Sequence, residues 1–208
     1  ALAALKTERK ITKDVSREAL DKAHEAIKNA QDEFKAKREA EREVFKTKLE
    51  TAKEELKTKR ETEKAELKTK LEKIKDEKKK AAAERLDNRF TEINAKMAGQ
   101  WGNALVRMEE LLGKVSSRAD KAELNNDVSA TRSAIEKAKT AIETAKNAVT
   151  AQAAKTYPIN ATDEATLKSA VATAREALNK DLAAVRDLVQ AAKKAISDAN
   201  SSLRSVPN

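Results

Sequence analysis

From residue 34 the chain repeats one phrase every eleven residues: FKAKREAEREV (34–44), FKTKLETAKEE (45–55), LKTKRETEKAE (56–66) and LKTKLEKIKDE (67–77). Eleven residues complete three helical turns at about 3.67 per turn, close to the natural 3.6. A stripe with that period runs nearly straight, with a slight right-handed drift, where a heptad would wind to the left. The interval therefore restricts this segment to a long straight helix with one persistent edge. On that edge Phe45, Leu49, Ala52 and Leu56 are apolar, Arg60 and Glu63 interrupt, and Leu67, Leu71 and Ile74 resume. With Phe34 at the head of the first repeat, the seven large residues Phe34, Phe45, Leu49, Leu56, Leu67, Leu71 and Ile74 form a thin seam, and the expectation is that they assemble with another copy of the chain.

Composition points the same way. Hydrophobic residues make up 39% of the 208, much of it alanine, and 38% are charged, so large core-filling side chains are scarce. Three Gly and two Pro leave few places to turn. Dominance of Ala, Glu, Lys, Leu and Arg at helical spacing indicates long helices in place of a compact two-domain globule. Pairs four residues apart, Lys46–Glu50, Glu55–Lys59, Lys57–Glu61, Lys59–Glu63, Glu66–Lys70 and Lys68–Glu72, are expected to support the helix by about 0.2–0.5 kcal/mol each at best. Such a helix persists with little burial, and a partner would help it.

On either side of the repeat the spacing stays helical. Residues 11–34 place Ile11, Val15, Ala19, Ala23, Ile27, Ala30 and Phe34 on one narrow stripe, with Thr12 or Asp14 as a start signal. From Leu86 the stripe enriches through Phe90, Ile93, Met97, Trp101, Leu105, Met108, Leu112 and Val115; Gly99 and Gly102 beside Trp101 suggest a kink or a close helix crossing within a continuous helix. Asn125, Asn126 and Asp127 make a turn, with Asp127 or Ser129 as the next cap. Ile135 to Val149 and Leu167 to Leu203 complete two more stripes, separated by Tyr157-Pro158-Ile159-Asn160-Ala161 and a cap at Thr162 followed by acids. The expected fold is all-α. A charged arm over residues 1–85, carrying the repeats at 34–77, continues a very long N-terminal, coiled-coil-like helix into an antiparallel three-helix bundle over 86–208, with helices at about 86–122, 128–155 and 163–204. The arm either projects as a stalk, pairs with another copy, or packs along the bundle through its Ile11-to-Phe34 stripe.

The chemistry expected of this sequence is sparse. His24 is the only histidine and has no partner at ligand or acid–base spacing. Carboxylates alternate with Lys and Arg, unlike the isolated acids of a hydrolase cleft. No phosphate-binding glycine loop or calcium loop is present. Trp101 reads as bundle core. These features lead to an expectation of no catalytic residues, no metal, no cofactor and no small-molecule substrate. Net charge is +9, and residues 34–80 hold 18 Lys/Arg against 12 Asp/Glu, ending in Lys78-Lys79-Lys80. Those three lysines are the expected contact of the alternative reading, binding to a nucleic acid or acidic polymer, although no aromatic residue between 46 and 89 offers a base a stacking surface. Cysteine is absent, and no run approaches the roughly 18 apolar residues of a membrane span. The Ala1-Leu2-Ala3 start suits a mature product after signal-peptide removal at a small-residue site.

The phrases "LEKIKDEKKKAAAERLDNRFTEINAKM", "SRADKAELNNDVSATRSAIEKAKTAIETAKNAVTAQAAKTY" and "LNKDLAAVRDLVQAAKKAI", spread over residues 67–208, resemble uncharacterised exported Ala/Lys/Glu-rich helical proteins of candidate-phyla (Patescibacteria-type) bacteria. The resemblance rests on phrasing and carries no catalytic motif. It implies a secreted or cell-surface bacterial helical protein. The expectation is a non-enzymatic structural or interaction protein: a helical spacer or a self-assembling scaffold, partnered by copies of itself as a dimer or filament.

Overall fold

The computed structural model describes the backbone of residues 2–124 and 126–207, and the side chains of residues 17–207 apart from Ala19, Leu20, Ala23 and Asn125. Four helices follow in order: α1 (Leu2–Leu71), α2 (Glu77–Ala122), α3 (Ser129–Ala153) and α4 (Glu164–Arg204). The protein is all-α, with a long N-terminal helix leading into a C-terminal helix bundle. At about 1.5 Å per residue α1 is about 105 Å long and α2 about 69 Å.

Cross-helix contacts fix the directions. Arg60 meets Asp87 while Arg42 meets Glu110, so α1 and α2 run antiparallel. Asn94 meets Gln152 while Glu109 meets Lys146, which sets α3 antiparallel to α2. Lys155 meets Asp181 and Thr131 meets Ser202, which sets α4 antiparallel to α3. Helix α1 packs on α2 and α3, and α4 packs on the same pair; the backbones of α1 and α4 do not approach each other among the described residues. Thus α2 and α3 form a central pair with α1 along one groove and α4 along the other. Small residues permit close approach in the pair and beside it: Ala138, Ala145, Ala192 and Ala199 are fully buried.

The α2–α4 bundle matches the expected one, with each helix boundary shifted by two residues or fewer except the start of α2. The arm differs. It does not run on into α2 but stops at Leu71, turns through residues 72–76, and folds back along the bundle. Asp76 then starts α2, accepting hydrogen bonds from the backbone N–H groups of Lys78 (2.9 Å) and Lys79 (3.2 Å). The physical reason is burial. A projecting arm leaves the whole seam in water, whereas folding back buries Phe45, Leu49, Leu56, Leu67, Leu71 and Ile74, each contributing about 1.5–3 kcal/mol when fully covered.

Smaller differences follow from local chemistry. Helix α1 is already helical from Leu2, so it does not start at Thr12 or Asp14; the side chains of Ile11, Thr12, Asp14, Val15, Ala19 and Ala23 lie outside the described residues. Asp163, not Thr162, caps α4, in a reciprocal box with Thr166. Val128 occupies the α3 cap without a side-chain bond, while Asp127 accepts from the Ser129 N–H at 2.8 Å. Of the six ion pairs expected along the repeat only Glu66–Lys70 forms; the lysines instead reach back three residues, as in Lys46–Glu43 and Lys53–Glu50 at 2.6 Å. Trp101 is core, as expected, and α2 runs unbroken through Gly99 and Gly102.

Candidate functional site: the docking face of α1

The face by which α1 meets the bundle is built by the eleven-residue period. Positions 45, 56 and 67, then 49, 60 and 71, then 52, 63 and 74 all turn inward: seven are buried apolar residues, and Arg60 and Glu63 are partly buried. The seam is therefore satisfied within one chain. Of its seven named residues only Phe34 stays outside the core, 37% exposed. As a free surface for a second copy the seam is corrected: its partners are the chain's own helices and the loop before α4.

At Gly102 the side chains of α1 lie close against α2. A Cβ there would lie 3.0 Å from a Leu49 methyl and 3.9 Å from the Phe45 ring, so the close crossing suggested by the glycine pair is at Gly102. Gly99 has open space beside it. Farther along, the Arg38 guanidinium lies where a Cβ on Gly113 would be, above a cleft of about 480 Å³ lined partly by Phe34, Leu112, Lys139 and Ile142. Cations flank the Phe34 ring, with Lys139 Nζ 5.1 Å and Arg38 Cζ 5.8 Å from its centre. The seam opens at this end.

Charged and polar groups sit inside the contact. Arg60 holds Asp87 through two parallel hydrogen bonds, one of them at 3.1 Å, and lies 3.6 Å from Glu63. The Thr156 hydroxyl donates to Glu63 at 2.5 Å. The Asp87 side chain is only 4% exposed and that of Arg60 12%, so this pair is shielded from water. Hydrogen bonding to Asp87 raises the Arg60 pKa further above its already high ordinary value, against the opposing effect of burial. Nearer the open end Lys146 of α3, itself buried, pairs with Glu109 of α2 and lies 4.9 Å from the centre of the Phe45 ring of α1. One ammonium thus joins three helices, by an ion pair and by a cation–π contact.

A second buried network anchors the end of α3. Asn94 donates to the carbonyls of Gln152 and Lys155, both at 3.0 Å, and its own carbonyl accepts from Gln152 at 2.7 Å. Gln152 also donates to the Tyr157 hydroxyl at 2.6 Å, and Tyr157 donates to Asp181 at 2.9 Å. Burial pushes the Tyr157 phenol up; the Gln152 bond opposes that, and Asp181 adds to it. Burial works against the Asp181 charge, but bonds from Lys155 and Tyr157 hold its carboxyl below the ordinary range. These polar layers separate two apolar clusters. One gathers Phe45, Leu49, Trp101, Leu105, Ile142 and Val189; the other gathers Leu67, Leu71, Ile74, Phe90, Tyr157 and Leu178.

The lysine run is partly spent. Lys79 pairs with Glu164 at 2.5 Å and lies 3.8 Å from Asp76, Lys80 pairs with Glu77 at 2.6 Å, and Lys78 is exposed. His24 is exposed. Among the described residues no group of acids and histidines is arranged to hold a metal, and no helix is long and apolar enough to cross a membrane. Arg60, Asp87, Lys146, Asn94 and Gln152 escaped the sequence reading because their partners lie on other helices. The one available signal was Arg60 and Glu63 falling in register on the apolar edge.

The fold and this site define an elongated, all-α protein whose longest helix is braced by apolar and ionic contacts along a four-helix body. Comparison with protein-family models, with curated proteins and with solved structures found no match to the chain.

Proposed function

We propose that the protein is a non-enzymatic structural or interaction protein, a helical spacer or self-assembling scaffold whose working element is α1. One observation carries this reading. Helix α1 has 70 residues and its antiparallel neighbour α2 has 46, so about 36 Å of α1 outruns α2 beyond their shared turn. The repeat supplies a straight docking edge, and its two charged interruptions are paired inside the contact. Such a helix keeps its direction over a distance that an isolated helix, held by side-chain pairs alone, does not.

Solution scattering tests the proposal. A braced rod about 105 Å long has a radius of gyration near 30 Å. A globule of 208 residues has one near 17 Å. A profile with the smaller value at low concentration would end the spacer reading, and one near the larger value supports it.

A further inference from the structure

We infer that the chain self-assembles by exchanging α1: the turn at residues 72–76 opens, α1 and α2 join into one helix, and the α1 of each copy docks on the α2 and α3 of the other. The inference rests on the self-assembly half of the proposed function and names its partner, a second copy of this chain.

The first ground is the turn itself. Its sequence is Glu72-Lys73-Ile74-Lys75-Asp76, with no glycine and no proline. No residue with a positive φ occurs among the described residues, so the turn uses no conformation that a helix-forming residue resists. Its backbone is held by bonds from the N–H groups of Glu72 to Lys68, Lys73 to Lys70 and Ile74 to Leu71, at 3.1, 3.4 and 3.0 Å. All three run back into the last turn of α1, the direction in which a continuing helix also bonds. Helix formers on both sides and through the turn make the joined helix accessible to the same residues.

The second ground is that exchange preserves the docking face. In a two-fold arrangement about the opened turn, two joined helices lie antiparallel, and the α1 of one copy reaches the α2 of the other in the register now found within the chain. Leu49 against Gly102, Arg60 against Asp87 and Arg42 against Glu110 all re-form between copies. Exchange of an identical element is a low-cost route to a dimer for this reason. The two forms differ only near the turn. Closure keeps Ile74 buried, at 1% exposure, and lets Asp76 cap α2; opening adds helical bonds through five residues and dispenses with the cap.

The hinge can therefore be biased in either direction. Asp76→Ala removes a cap that only the closed form uses, and with two hinges per dimer it should tighten dimerisation by about thirty-fold. Lys73→Gly with Lys75→Gly, both exposed positions, penalises the joined helix and should weaken the dimer by several hundred-fold. The chain has no cysteine, so dyes can be placed at Lys48→Cys on α1 and Arg107→Cys on α2, both exposed. Both positions lie in the stretch of the closed hairpin between the Arg42–Glu110 and Leu49–Gly102 contacts, but they are about 88 Å apart along a joined helix.

The experiment is light scattering with energy transfer on the full chain, for the parent and both hinge variants, over a range of concentrations. The expected result is a dimer, promoted by Asp76→Ala and suppressed by the glycine pair, in which transfer within a doubly labelled chain is lost and transfer between singly labelled chains appears. Parent and Asp76→Ala chains that stay monomeric with internal transfer intact overturn the inference. So does a dimer that keeps its internal transfer. Either outcome leaves the spacer reading standing, because that reading is decided by the dimensions of the monomer.

Discussion

Arg60→Met is the most informative single substitution. The change keeps an unbranched apolar stem and much of the volume of the side chain while deleting its charge, and it strands Asp87, whose side chain is 4% exposed. Removing one partner of a shielded ion pair costs about 3–5 kcal/mol, whereas an exposed surface pair costs under about 1 kcal/mol. Arg60 keeps some contact with solvent, at 12% side-chain exposure, so the lower end, about 3 kcal/mol, is expected. With a urea dependence of about 2.5 kcal/mol per molar, the unfolding midpoint falls by about 1.2 M. Trp101 fluorescence is a suitable probe, because the only tryptophan shares its cluster with Phe45 and Leu49 of α1. The companion Arg60→Met with Asp87→Leu removes both charges and should return to within about 1 kcal/mol of the parent, since an apolar replacement of a buried pair is often neutral or stabilising. The single-variant loss should persist in 1 M salt, where exposed pairs are screened. A single variant within about 0.5 kcal/mol of the parent, or a double variant no better than the single, would refute the argument that this pair is a shielded lock.

Three further outcomes follow from the same structure. Gly99→Ala should stabilise by about 0.8–1 kcal/mol, because nothing lies within 4 Å of the added Cβ; Gly102→Ala should gain less, with Leu49 at 3.0 Å, and thermal unfolding of the two side by side checks this. Asn94→Ala strips partners from the buried Gln152 amide and from two carbonyls at the end of α3 and should cost about 3 kcal/mol, read as a lower midpoint in urea. Above about pH 10 the unfolded chain gives up the Tyr157 proton while the native chain, its phenol pushed up by burial, retains it. Stability therefore falls as pH rises past that point, and phenolate absorbance should appear together with loss of helix; phenolate formed in an intact fold would contradict the burial argument.

Much of this fold was legible because helices are local. The eleven-residue period identified the inward positions from Phe45 in α1 to Ile74 in the turn after it, and the stripes through Trp101, Ile142 and Leu182 located the other three helices. The reversal at residues 72–76 was not legible. A chain usually marks a turn with glycine, proline or a polar cluster, and Glu-Lys-Ile-Lys-Asp reads as more helix. What reverses the chain is the match between the α1 seam and a surface formed by residues as distant as Tyr157 and Leu178, which no local window contains. The partner of Arg60 was hidden similarly: Asp87 looks like one more acid on a charged helix until α2 is laid against α1.

The repeat also creates a difficulty that the buried charges resolve. Because LKTKRETEKAE and LKTKLEKIKDE present similar edges, α1 could slide along the bundle by one repeat, about 16 Å, and still set leucine against much of the apolar surface. Hydrophobic burial is non-directional and discriminates poorly between these registers. Arg60 and Glu63 break the degeneracy. In a shifted register Leu49 or Leu71 would stand against Asp87, leaving a carboxylate shielded and unpaired, while Arg60 would enter the apolar layer beside Gly102 or the one around Tyr157. Each error leaves one buried charge without its partner, and several kcal/mol per slip is enough to populate a single register. The interruption that makes the seam look weak as sequence is what gives a repetitive helix one address along the bundle, and the same pairing would set that address whether α1 docks on its own chain or on another.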